Sequence, residues 1–165
     1  MKNLLIFSLL ILCSIHVSAQ RFEDYFEDRT LRLDYTFAGD DVLHQIYVDE
    51  LVSLPHWYGR REHLAELPLK GNGQITIRSK ADETVIYRHS FSTLFQEWLA
   101  TDEAKHVQKS FENVFLVPFP KDSVEIKVEL FDYHNEVVNS LTHTVDPKDI
   151  LIRKAGERGI TPYKL

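Results

Sequence analysis

Cysteine is almost missing from this chain of 165 residues: the single one, Cys13, lies in an apolar stretch at the very start. If that stretch is removed, what remains can form no disulfide, offers no thiol nucleophile and can build no zinc–thiolate site. Long apolar runs are equally scarce. The longest, Leu4 to Leu12, is broken only by Ser8 and falls short of the roughly 20 apolar residues that a membrane-spanning helix needs. There is no basic stripe of the kind that tracks nucleic acid or an anionic membrane surface. The sequence also has no Gly-x-Ser-x-Gly elbow, no pair of histidines four apart around a glutamate, and no glycine-rich phosphate loop. These gaps speak against serine hydrolase chemistry, a zinc-peptidase helix and nucleotide binding within this chain.

The start of the chain reads as a cleavable export signal. Lys2 supplies a positive end, Leu4 to Leu12 an apolar core, and Val17-Ser18-Ala19 the small residues at a cleavage point. Residues 1–19 are therefore expected to be lost. The protein is expected in the periplasm or outside the cell, with no membrane anchor. Leu12 before Cys13 is too large for a lipid-modified cysteine signal. Without Lys2, 18 Lys and Arg stand against 25 Asp and Glu, a net charge of −7 spread along residues 20–165. That length is one ordinary domain with room for a real core.

The rest of the chain alternates in twos. Thr30 to Phe37 puts Leu31, Leu33, Tyr35 and Phe37 on one face and Thr30, Arg32, Asp34 and Thr36 on the other, the pattern of a half-buried strand. Residues 42–54 form a second extended candidate, with Ile46, Val48, Leu51 and Leu54 offered to the core. Gly71-Asn72-Gly73 marks a turn, and 74–79 with 84–89 reads as a hairpin. Residues 92–110 differ: Leu94, Phe95, Trp98 and Leu99 fall at helical spacing, and Thr101-Asp102-Glu103 offers a second helix start. Strands resume at 112–118, 124–133 and 137–145, with Val124, Ile126, Val128, Leu130 and Asp132 sharing one face. Some seven short strands without βαβ alternation predict a mainly β, antiparallel β-sandwich, Ig-like or jelly-roll-like, with one or two short helices. The sandwich is expected over 20–148, and 149–165 reads as a lead-in toward another domain. Phe22, Tyr25 and Phe26 are placed to pin the start of the mature chain to it.

Candidate chemistry is sparse. His56 and His63 are the closest of the mature histidines, seven apart, but Gly59 between them weakens the helix that would align them. Adjacent carboxylates such as Glu23 with Asp24 and Asp40 with Asp41 lie in expected turns or ends, where solvated charge is the simpler reading. No catalytic and no metal-ligating residue is assigned. One segment stands out as a surface candidate: His56, Trp57 and Tyr58 after Pro55, followed by Arg60 and Arg61. Loop aromatics of this kind contact glycans or proteins, and a loop folded back over the core is the plainer alternative.

Three stretches, RFEDYFEDRTLRLDYTFAGD (21–40), LVSLPHWYGRREHLAELPLKGNGQ (51–74) and ILIRKAGERGITPYKL (150–165), resemble the N-terminal domain of the secreted IgA-peptidase-type zinc metallopeptidases of Bacteroidetes. The resemblance implies a β-sandwich that precedes a separate catalytic domain carrying a His-Glu-x-x-His zinc helix. It implies no enzyme activity and no cofactor in this chain, with zinc expected only in that other domain. The implied partner is the catalytic domain in cis. A free-standing exported module for a glycan or host protein is the competing reading, and an autonomous enzyme the third.

Overall fold

The computed structural model describes residues 20–67 and 69–155; the expected export signal and the chain from 156 onward lie outside the described residues. A four-residue helix α1 (Phe22–Tyr25) leads into β1 (Phe26–Gly39), β2 (His44–Pro55), β3 (Gly73–Ser79) and β4 (Val85–Phe91). Helix α2 (Leu94–Leu99) and a 3₁₀ turn (Asp102–Lys105) follow. Then come β5 (Lys109–Pro120), β6 (Val124–Phe131), β7 (Val137–Val145) and the two-residue β8 (Arg153–Lys154). The strands form two sheets, ordered β5-β1-β2-β8 and β4-β3-β6-β7. All pairings are antiparallel except β2 with β8. The molecule is a β-sandwich with two short helices, as the alternating pattern predicts.

The period-two pattern decides which faces meet. Leu31, Leu33, Tyr35 and Phe37 of β1 are fully buried, as are Ile126, Val128 and Leu130 of β6, with Val124 almost so. Aromatic rings fill the middle: Phe37 lies 6.2 Å from Phe91 and 6.3 Å from Phe115, and Phe91 is 4.4 Å from Phe115. Polar bonds cross between the sheets at one margin. The Tyr35 hydroxyl meets His143 Nε2 at 2.7 Å, and Asn139 Nδ2 donates to the His44 carbonyl at 2.6 Å. Phe22 and Phe26 are buried with Tyr25 packed against the same core, so the N-terminal aromatics do pin the start of the domain.

Several expectations shift in detail. Strand β2 starts at His44, because Asp40 Oδ1 accepts from the backbone of Val42 and Leu43 at 3.0 and 2.8 Å and holds both in an exposed turn. Val48 and Leu51 have opposite parity, yet Val48 faces Tyr35 and Leu51 faces Leu33. A β-bulge reconciles them by placing an extra residue on β2, and it leaves Val48 partly exposed rather than in the core. Leu94 is exposed, since the single turn and a half of α2 turns only Phe95 and Trp98 fully inward. Asp132 leaves the buried face of β6. Its carboxylate instead accepts from the backbone of His134 and Glu136 and shapes the β6–β7 turn. In the 149–165 segment, Ile152 is buried and β8 adds to the sheet edge.

Candidate functional site

The loop after β2 is built around Trp57. His56 takes a left-handed backbone conformation at φ 58, and its carbonyl accepts from the buried Thr30 hydroxyl at 2.7 Å. The chain therefore turns sharply off the sheet and lays the indole inward. The indole N–H donates to the Arg60 carbonyl at 2.9 Å. Gly59 lies flat on the ring: a Cβ there would stand 2.2 Å from Trp57 Cζ2.

Arg60 then fastens this loop to β4. Its guanidinium donates to the carbonyls of Glu66 and Leu64, each at 2.9 Å, and to that of Arg88. It also lies 5.2 Å over the Tyr87 ring. The Arg88 backbone N–H returns a bond to Leu64 at 2.9 Å. Arg61 faces the other way, bonding Asp28 and covering the Phe22 ring at 4.5 Å. Asp28 also accepts from the Trp57 backbone N–H, and that bond, with Arg61 beside it, holds its carboxyl below the usual range.

Beside this loop lies a cleft of about 610 Å³. Buried Trp57, Tyr87 and Thr30 line its inner part; Tyr58, Leu69 and Leu116 form the outer part. Strands β4 and β5 both contribute, and each is the outermost strand of its sheet. Trp57 is 8% exposed and belongs to the hydrophobic core, whereas Tyr58 is 87% exposed. The surface reading of Trp57 is thus corrected: the loop folds back over the core at that residue and presents only its neighbour.

The five sequence candidates divide between three grooves. Trp57, Tyr58 and Arg60 line the cleft; His56 lines a groove with Asp28, Lys154 and Ala155; Arg61 lines a third with Phe22. Leu69, His89 and Leu116 were not singled out from the sequence. No local signal marks them, because the fold alone brings 69, 89 and 116 together. His89 is half-buried, and burial, with the Arg60 charge nearby, pushes its imidazole below the ordinary value. The site therefore offers a rigid apolar recess with a neutral imidazole and fixed arginines, an arrangement suited to binding. Among the described residues, no three His, Cys, Asp or Glu side chains come together as metal ligands would.

Residues 21–142 match the family described as peptidase M64 N-terminus. No curated protein matches the chain. With the match covering most of its length and both sheets of the sandwich, the chain belongs to the peptidase M64 N-terminus family.

Proposed function

We propose that this chain is the non-catalytic accessory domain of an exported, IgA-peptidase-type zinc metallopeptidase, and that it packs on, or presents substrate to, a catalytic domain in cis. The carrying observation is the match of residues 21–142 to a peptidase N-terminal family. The cleft supports it, since a preformed apolar recess on a stapled loop is a binding feature. Zinc belongs to the catalytic domain in this reading: the histidines here serve other contacts, such as His143 with Tyr35 and His63 with Glu66 at 2.9 Å. Export rests on the charge, apolar core and small-residue order of residues 1–19.

The test uses purified 20–165. It should leave immunoglobulin A and casein intact, and coding sequence in frame after Leu165 should contain a His-Glu-x-x-His motif. Chelator-sensitive cleavage of either substrate by 20–165 alone would overturn the non-catalytic reading. Mass spectrometry of the exported protein should show a mature start at Gln20; a retained leader would overturn the cleavage part.

A further inference from the structure

We propose that the cleft between the Trp57 loop and strands β4 and β5 is the seat of the peptidase domain, which inserts an apolar side chain between Tyr58, Leu69 and Leu116. This rests on the accessory-domain reading above and adds the surface and the chemistry of the contact.

The first argument is the surface itself. Tyr58, Leu69 and Leu116 are 87%, 79% and 49% exposed around one recess. Val114 precedes Leu116 by two residues in the same alternating phase of β5 and is also exposed. A contiguous apolar patch next to a concave, aromatic floor marks an interaction site more often than scattered exposed residues do. The recess is also preorganised, because three backbone carbonyls hold Arg60 and the indole is tied to the Arg60 carbonyl. Little ordering remains to oppose binding.

The second argument is where the described chain ends. β8 runs parallel to β2, and the Ala155 backbone N–H donates to the Ser53 carbonyl at 3.0 Å. Ser53 precedes Tyr58 by five residues, a span of at most about 17 Å of extended chain. Whatever follows residue 155 therefore starts at the β8 edge of the sheet, opposite β5 but within tethering distance of the Tyr58 loop, so a tethered domain meets the cleft at a raised effective concentration. Of the other exposed apolar groups, Tyr133 with Val137 and Val138 is remote. It sits at the β6–β7 turn, where β6 pairs through Leu130 with Gly73. The chain leaves from the other end of the sheets, where Arg29 pairs with Pro55.

The third argument is charge. The chain is acidic overall, yet the cleft lining contains Arg60, Arg88 and His89 and no carboxylate. Arg88 Nε is buried with no acceptor. The fitting occupant is an apolar side chain whose flanking group is a carbonyl or carboxylate.

Purified 20–165 would be titrated by calorimetry with a separately produced, zinc-loaded peptidase M64 catalytic domain, up to about 1 mM. Tyr58→Ala and Leu69→Asp change exposed side chains and should leave the thermal midpoint in place while weakening binding about tenfold or more. Tyr133→Ala and Val138→Asp should bind like the parent. If the parent binds and the cleft variants bind equally well, the docking surface is wrong and the accessory reading stands. If weakening maps to Tyr133 and Val138, the surface is likewise wrong. No binding by the parent overturns both the docking surface and the packing form of the accessory reading.

Discussion

Arg60 shows how one side chain can decide a loop. Its donors reach carbonyls on Leu64, Glu66 and Arg88, which lie on two separate segments of chain. Hydrogen bonds from charged groups contribute roughly 1.5–3 kcal/mol each when buried and less when partly exposed. Arg60→Ala should therefore lower stability by about 2–3 kcal/mol, read as a lower urea midpoint. Arg60→Lys should recover little, because a point charge cannot span three carbonyls. An unchanged midpoint for Arg60→Ala would show that the loop stands without it. Gly39 is decided by backbone alone. At φ +139 its added Cβ would lie 1.8 Å from the Leu43 carbonyl oxygen, so Gly39→Ala should cost about 1–3 kcal/mol.

His143 supplies a pH dependence at the same scale. Burial holds its imidazole below the ordinary value, with the ring's hydrogen bond to the Thr144 backbone working against that. The ring is paired through Nε2 with Tyr35, whose phenol is wholly buried and pushed upward by that burial. A group whose folded value is depressed contributes stability above its unfolded value and loses it as pH falls. The thermal midpoint should thus decline as pH drops below about 6.5, the ordinary histidine value. His143→Gln should flatten that decline; an equally steep curve in the variant would assign the effect elsewhere, with half-buried His89 the next group to replace.

Among the elements, what could be read beforehand was whatever depended on periodicity. β1, β3, β6 and β7 announced themselves through alternation because each turns its apolar residues to one face, and Val137–Val145 was found at both ends. The bulge in β2 was not legible, since a parity switch only becomes a bulge once a partner strand fixes the register. β8 was hidden for a related reason: two residues carry no period. Its hold on the sheet comes from Ile152, which is buried, more than from Arg153, which is exposed and bonded to Glu50. Ile152→Ala should cost about 2–4 kcal/mol, while Arg153→Ala should cost much less, since an exposed ion pair contributes little. The reverse order in a denaturant series would mean that the ion pair holds the strand. The cleft was the least legible feature, because its walls come from positions 57, 69, 89 and 116 that share no local signature.

At the scale of the whole molecule, stability rests on apolar packing, since no cysteine lies among the described residues. The unfolding midpoint of 20–165 should be the same with and without reductant, because nothing in that span can form a disulfide. The same architecture sets the order of assembly. β1 is paired on both sides, and on one of them Leu31 must find Val117 and Phe37 must find Phe111. Contacts so distant in sequence slow folding. The first strand to emerge thus cannot be completed until the chain beyond residue 109 has been made. If the proposed leader threads the protein across a membrane, that delay keeps the domain an open thread until β5 has been made, and the sandwich closes only on the far side.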